Sequence, residues 1–346
     1  MRRIWMLIIL VLLIATPVQA MEFTAPTAPA DVEQMIPAET ESFSEGLWKI
    51  LQNAVEKLHP EVASAAGCCI ALVAVALLSS LFNSFPGDQK RIVRLVGAIA
   101  IGTILISQSN SMIALCADTV QQLSEYGKLL LPVMTGALAA QGGTTGATTL
   151  YAGTVAFDTI LTILITNLLV PIVYLFLALA IANAATGAEL LKKLRDFLKW
   201  LMSWSLKTIL YVFTGYMTIT GVISGTTDAS LLKATKLTIS GVVPVVGGIL
   251  SDASETVILS AGVMKNAVGI YGLLVIGAIW ITPFLKIGIQ YLILKLTAAI
   301  CGVFGVKEVS DVINDFSGAM GILLAMAGAV CFMLLVSTIC FMKGMT

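Results

Sequence analysis

Histidine occurs once in these 346 residues, at His59, and charge is scarce. Only 12% of residues are Asp, Glu, Lys or Arg, where an ordinary soluble domain carries about a quarter. A single histidine excludes His-based metal clusters, and it excludes Ser-His-Asp or Cys-His sites away from that position. Lys and Arg number 20 and Asp and Glu number 20, so net charge gives no argument for nucleic-acid binding. The six cysteines, at 68, 69, 116, 301, 331 and 340, lie mostly inside apolar runs and form no Cys-x-x-Cys pair. They read as small buried apolar residues, with neither a disulfide framework nor a zinc site indicated. No Walker loop, catalytic carboxylate pair or nucleophile elbow occurs. Gly142-Gly143-Thr144-Thr145-Gly146 lacks the lysine and the strand–helix setting of a phosphate loop, and no cofactor is expected. What remains is apolar: 58% of the chain, with a mean hydropathy of +0.96. These values describe an integral membrane protein.

Arg2 and Arg3 precede an apolar stretch from Ile4 to Ala15, and Val18-Gln19-Ala20 supplies small residues where a signal peptidase cuts. Residues 1–20 therefore read as a secretory signal peptide. The alternative is an uncleaved first membrane helix, but the apolar core falls short of the roughly 20 residues a span needs. Residues 21–45 carry six acidic and no basic residues, together with Pro26, Pro29 and Pro37. That composition predicts a disordered, extracytoplasmic acidic tail. Within 46–65, apolar positions Leu47, Ile50, Leu51, Ala54, Val55 and Leu58 recur at helical spacing. This amphipathic helix is expected to end or kink at Pro60, on the membrane's outer face, against a partner or against its own membrane domain.

From residue 66 to 346 the pattern is that of a polytopic, all-α membrane helix bundle. Ala66 to Phe85 is uncharged over 20 residues, enough to span a bilayer. Lys90, Arg91 and Arg94 follow, then a second span from Leu95 to about Leu115. An outside N-terminus places that basic trio in the cytoplasm, as the positive-inside rule requires. Ala117 to Lys128 reads as a polar outer stretch, and Leu129 to Ala140 is interrupted by Pro132 and Gly136. Tyr151 to Asn183 is apolar for 33 residues, with Asn167 and Pro171 as a hinge or tight turn. Lys192, Lys193, Arg195 and Lys199 then form a dense basic cluster that belongs inside. Either three crossings or one link residues 117 and 189, depending on whether the Pro132 segment spans or re-enters. Later spans bring the total to between seven and ten.

An internal duplication is suggested by two Pro/Gly-interrupted segments. Pro132 aligns with Pro244 at an offset of 112, which also carries Pro171 onto Pro283. The repeats would cover about 95–186 and 207–305. Broken backbone inside a bilayer persists only where protein, water or solute satisfies it. Pro132, Gly136, Gly142 and Gly143 in the first segment, and Pro244, Gly247, Gly248 and Asp252 in the second, are therefore candidate transport or packing positions. Close helix packing at small residues is the plain alternative. Asp158, set among apolar residues, should face a cavity, pair with a cation or stay protonated. Lys265, Lys286 and Lys295 are its candidate partners, with Lys286 and Lys295 also able to snorkel to an interface. Lys265 and Asn266 complete the candidate set.

The stretch Pro244-Val245-Val246-Gly247-Gly248-Ile249-Leu250-Ser251-Asp252-Ala253, with Lys265-Asn266-Ala267-Val268-Gly269 after it, resembles the stage III sporulation protein AE family of endospore-forming bacteria. The resemblance extends from about residue 45 onward. It implies a multi-pass protein of the mother cell, in the outer membrane around the engulfed forespore. It further implies a place beside other stage III sporulation membrane proteins in a channel joining the two cells, with room for an oligomer. The family supplies no catalytic residues to carry over. A stand-alone secondary transporter with duplicated halves is the alternative.

Overall fold

Apolar residues dominate nearly every stretch, and the backbone must satisfy its own N–H and C=O groups wherever water is absent; helices do this within one segment. The computed structural model describes residues 26–36, 43–82, 89–140, 144–219 and 267–343. Among these, helices form almost everything and no strand occurs. A short α1 (Ala30–Glu33) leads to the amphipathic α2 (Phe43–Glu56) and to α3 (His59–Phe82). Then come α4 (Gln89–Ala140), α5 (Thr144–Ile163), a π-helical turn (Leu164–Leu169) and α6 (Val170–Thr186). The described chain closes with α7 (Glu189–Ile219), α8 (Ala267–Val303) and α9 (Lys307–Lys343).

Five of these helical stretches are long and apolar enough to cross a membrane: 59–81, 95–138, 147–186, 268–303 and 307–343. An all-α membrane bundle is thus the observed architecture. α9 is its axis. It packs along α8 and touches α4, α5, α6 and α7, and from Phe316 to Met342 every residue is buried except Gly318, Ala325 and Phe332, which are partly buried. The α6–α7 and α8–α9 turns close at Gly187 (φ 70°) and Gly305 (φ 75°), where a left-handed backbone favours glycine.

Several expectations need correction. The span at 95–115, the polar stretch at 117–128 and the interrupted segment around Pro132 and Gly136 are one helix, α4, 52 residues long. Proline costs a helix interior about 3 kcal/mol through its missing N–H and its clash with the preceding turn. Here the Pro132 ring and Lys128, whose carbonyl loses its partner, both lie on the exposed face. Leu130, Leu131, Met134 and Leu138 bury the opposite face, and that packing carries the helix through. Gly136 continues the same helix, partly buried. Around Asn167 and Pro171 the chain makes no turn: the helix runs on through the π-helical stretch, whose wider turn directly precedes α6 and accommodates the N–H that Pro171 lacks. α2 does end just ahead of Pro60, at Glu56, and Pro60 itself falls in the first turn of α3, where no N–H is needed. Composition argues for disorder in the acidic segment, yet Ala28, Val32 and Met35 are buried, against α8. Gly142, Gly143, Pro244, Gly247, Gly248, Asp252, Lys265 and Asn266 lie outside the described residues.

Candidate functional site

Thr154, Asp158 and Thr162 recur every fourth residue along α5 and so share one face. All three are buried, Asp158 to 2% exposure. Opposite them, α4 contributes Ser124 and α9 contributes Ser337, both fully buried. Ser124 Oγ donates to Asp158 Oδ2 at 2.7 Å. Thr154 Oγ1 donates to Ser337 Oγ at 3.2 Å. A polar seam therefore joins α4, α5 and α9 inside an apolar bundle. It is incompletely satisfied: Asp158 Oδ1, Thr162 Oγ1 and, on α4, Tyr126 OH have no hydrogen-bond partner. A buried carboxylate with a single hydroxyl donor is costly. The unpaired oxygen calls for a proton of its own, a water or a cation.

Sequence reasoning found Asp158 but misplaced its company. Lys286 Nζ instead pairs with Glu61 at 2.6 Å, and Lys295 Nζ donates to Asn314 Oδ1 at 2.7 Å. Pro132 points outward and does not converge with Asp158. Ser124, Thr154, Thr162 and Ser337 carried no motif. The fourfold spacing on α5 was the available signal, while Ser124 sits in a stretch that reads only as polar and outer.

Two further polar joints tie the bundle. Arg195 of α7 binds Asp315 of α9 through NH1 at 2.5 Å and Asp196 through NH2 at 2.8 Å, with Arg195 and Asp315 side chains each 11% exposed. Gln290 Nε2 of α8 donates to Gln108 Oε1 of α4 at 2.6 Å. The six cysteines are free. Among the described residues no three His, Cys, Asp or Glu side chains are grouped to hold a metal ion. The buried polar groups join helices to one another.

The fold and these joints define a polytopic α-helical membrane protein. A family model, stage III sporulation protein AE, matches residues 30–344. The chain belongs to that family. It is similar to stage III sporulation protein AE of Bacillus subtilis (strain 168), 25% identical over 264 residues. That match covers 75% of this chain and 66% of the relative, just under two thirds of the relative's length. No solved structure matches the chain.

Proposed function

We propose that this chain is a non-enzymatic, multi-pass component of the mother cell–forespore channel complex needed for endospore formation after engulfment. It sits in the mother-cell-derived outer forespore membrane with its N-terminal segment extracytoplasmic, and its partners are other stage III sporulation membrane proteins. The observation that carries this reading is the family match across residues 30–344. The bundle agrees with it: five helices long and apolar enough to span, and buried polar side chains engaged between helices. Affinity purification of the tagged chain from sporulating cells tests it. Recovery of other stage III membrane proteins, with arrest after engulfment when the gene is deleted, is the expected result. Recovery of none of them, with normal sporulation of the deletion strain, overturns it.

A stand-alone secondary transporter is favoured by one observation, the unpartnered Asp158 Oδ1 inside the bundle. Deletion would then produce an ion or nutrient defect in place of a developmental arrest. Asp158→Asn preserves shape and removes the charge. Under the transporter reading it abolishes function with the protein still in the membrane, and normal spore yield from that variant assigns Asp158 to packing alone.

A further inference from the structure

The C-terminal end of α3, the start of α4 and the turns at 187–188 and 304–306 gather at one end of the bundle. Ser80 Oγ of α3 donates to the Phe304 carbonyl at 3.2 Å, and the Arg195–Asp315 pair lies close by. Basic residues mark this end: Lys90, Arg91 and Arg94 begin α4, Lys192, Lys193 and Lys199 begin α7, and Lys307 begins α9. The helices then run much farther than one membrane needs. At 1.5 Å per residue, α8 and α9 are each about 55 Å long, against about 30 Å of hydrocarbon.

On the long helices, exposed large apolar side chains concentrate in one part of that height, Leu129 being an exception. On α8 the first exposed described residue is Leu292, with Leu296 and Val303 beyond it toward the basic end. On α4 they cluster from Leu95 to Ile106. Farther along α4 the exposed positions become Asp118, Gln121, Glu125 and Lys128, with Leu129 beside them. On the rod formed by α5 and α6, the stretch before Ile160 exposes Thr148, Thr149, Ala152, Ala156 and Thr159. Ile163, Leu168, Tyr174 and Leu175 then present apolar surface toward the basic end. On α7, Phe197, Trp200 and Trp204 form an exposed aromatic ladder, ring centroids 5.9 Å apart at each step. Where the apolar surface stops, polar joints appear on three helices: Lys286–Glu61 and Gln290–Gln108.

The N-terminal half of α8 has a different cover. α1 and α2 pack on it: Thr282 Oγ1 contacts Met35 Sδ at 3.7 Å, and Ile50 and Ala54 of α2 are buried. The outward side of α2 carries exposed Gln52, Asn53 and Glu56 and the Glu45–Lys49 pair at 2.8 Å, beside exposed Trp48 and Val55. Charged and amide groups in this number fit water better than acyl chains.

We infer that the bilayer grips only the half of the bundle beside the basic turns, from those turns to the level of the Glu61–Lys286 and Gln108–Gln290 joints. The other half stands clear of the hydrocarbon as a water-facing stalk that holds α1, α2 and the Ser124–Asp158 seam. The basic turns put the belt's inner edge in the cytoplasm and the stalk outside. This inference rests on surface chemistry and holds whether or not the chain serves a channel.

Single cysteines test it in the full-length chain, in membrane vesicles made leaky so that both aqueous faces are open. The native cysteines give little background, because all are buried except the half-buried Cys69, which lies within the belt. Glu125→Cys and Gln121→Cys should react with a membrane-impermeant maleimide to near completion. Leu77→Cys, Ile99→Cys and Leu296→Cys should react at least tenfold more slowly until detergent is added. Protection of both α4 positions in membranes, with full reaction in detergent, overturns the stalk. A measurement without cysteines guards against misfolded variants: acyl-chain-brominated phospholipids should quench Trp200 and Trp204, read in a Trp5→Phe/Trp48→Phe/Trp280→Phe protein, and leave Trp48, read in a Trp5→Phe/Trp200→Phe/Trp204→Phe/Trp280→Phe protein, unquenched. Strong quenching of Trp48 contradicts the inference as well.

Discussion

Leu296 and Phe341 sit on neighbouring helices of one bundle, toward its opposite ends, and meet different surroundings. Leu296 is 59% exposed on α8, near the basic turns. Phe341 is fully buried on α9, at the far end. The comparison extends to whole halves. Beside the turns, apolar side chains cover the outside and lipid can complete the packing. In the far half, α9 is as apolar as before but encloses its surface in protein: α8 on one side, α4 and α5 on the others, with α1 and α2 forming the outer coat of α8. Hydropathy alone cannot distinguish these cases, because a helix buried in protein and a helix in lipid have the same composition.

Substitutions can break or sharpen this contrast. The largest effect is expected from Phe341→Ala, which leaves a cavity that protein neighbours fill only in part and should cost about 3–5 kcal/mol. Reversible unfolding in mixed micelles reads the loss. Asp315→Ala comes next, since it strips Arg195 of its α9 partner; breaking a buried pair costs about 3 kcal/mol, and the retained Asp196 contact should keep the loss at or below that. Unfolding of α7 from α9, followed through Trp200 and Trp204 fluorescence, would register it. A smaller loss of about 1–3 kcal/mol is expected for Gly153→Ala. There a Cβ would lie 2.1 Å from the Tyr216 ring, so the ring must leave its place and its bond to the Thr149 carbonyl or α5 and α7 must separate, and reduced melting temperature in detergent measures it. Leu296→Ala should shift stability by no more than about 0.5 kcal/mol, because a surface position leaves no cavity. An effect of Leu296→Ala equal to that of Phe341→Ala would erase the difference between the halves.

Much of the architecture was legible in the residues. Uncharged runs such as Ala66 to Phe85 marked spans, and the apolar spacing from Leu47 to Leu58 marked α2, whose Ile50 and Ala54 are indeed buried. Clusters at Lys90 and Lys192 marked the ends of helices. In the stretch from Ala117 to Lys128, polar residues between apolar runs hide the continuity of the helix. In α4 they form the exposed face of an unbroken helix whose other face, through Val120, Leu123 and Leu130, packs inward. Pro132 misled for a related reason: whether a proline breaks a helix depends on what the flanking residues bury, and that is tertiary information. Asp158 stood out by its charge, but its partner Ser124 lies 34 residues away, at no recognisable spacing.

The central claim is that lipid meets only one half of this bundle. Spin labels placed one at a time along the exposed edge of α4, at Val96, Ile99, Ile106, Asp118, Gln121 and Glu125, test it directly through collision with oxygen and with a water-soluble nickel chelate in reconstituted bilayers. The account predicts oxygen-dominated relaxation for the first three positions and chelate-dominated relaxation for the last three, with the crossover between Ile106 and Asp118. Oxygen dominance continuing through Glu125 would place the whole helix in the membrane and contradict it.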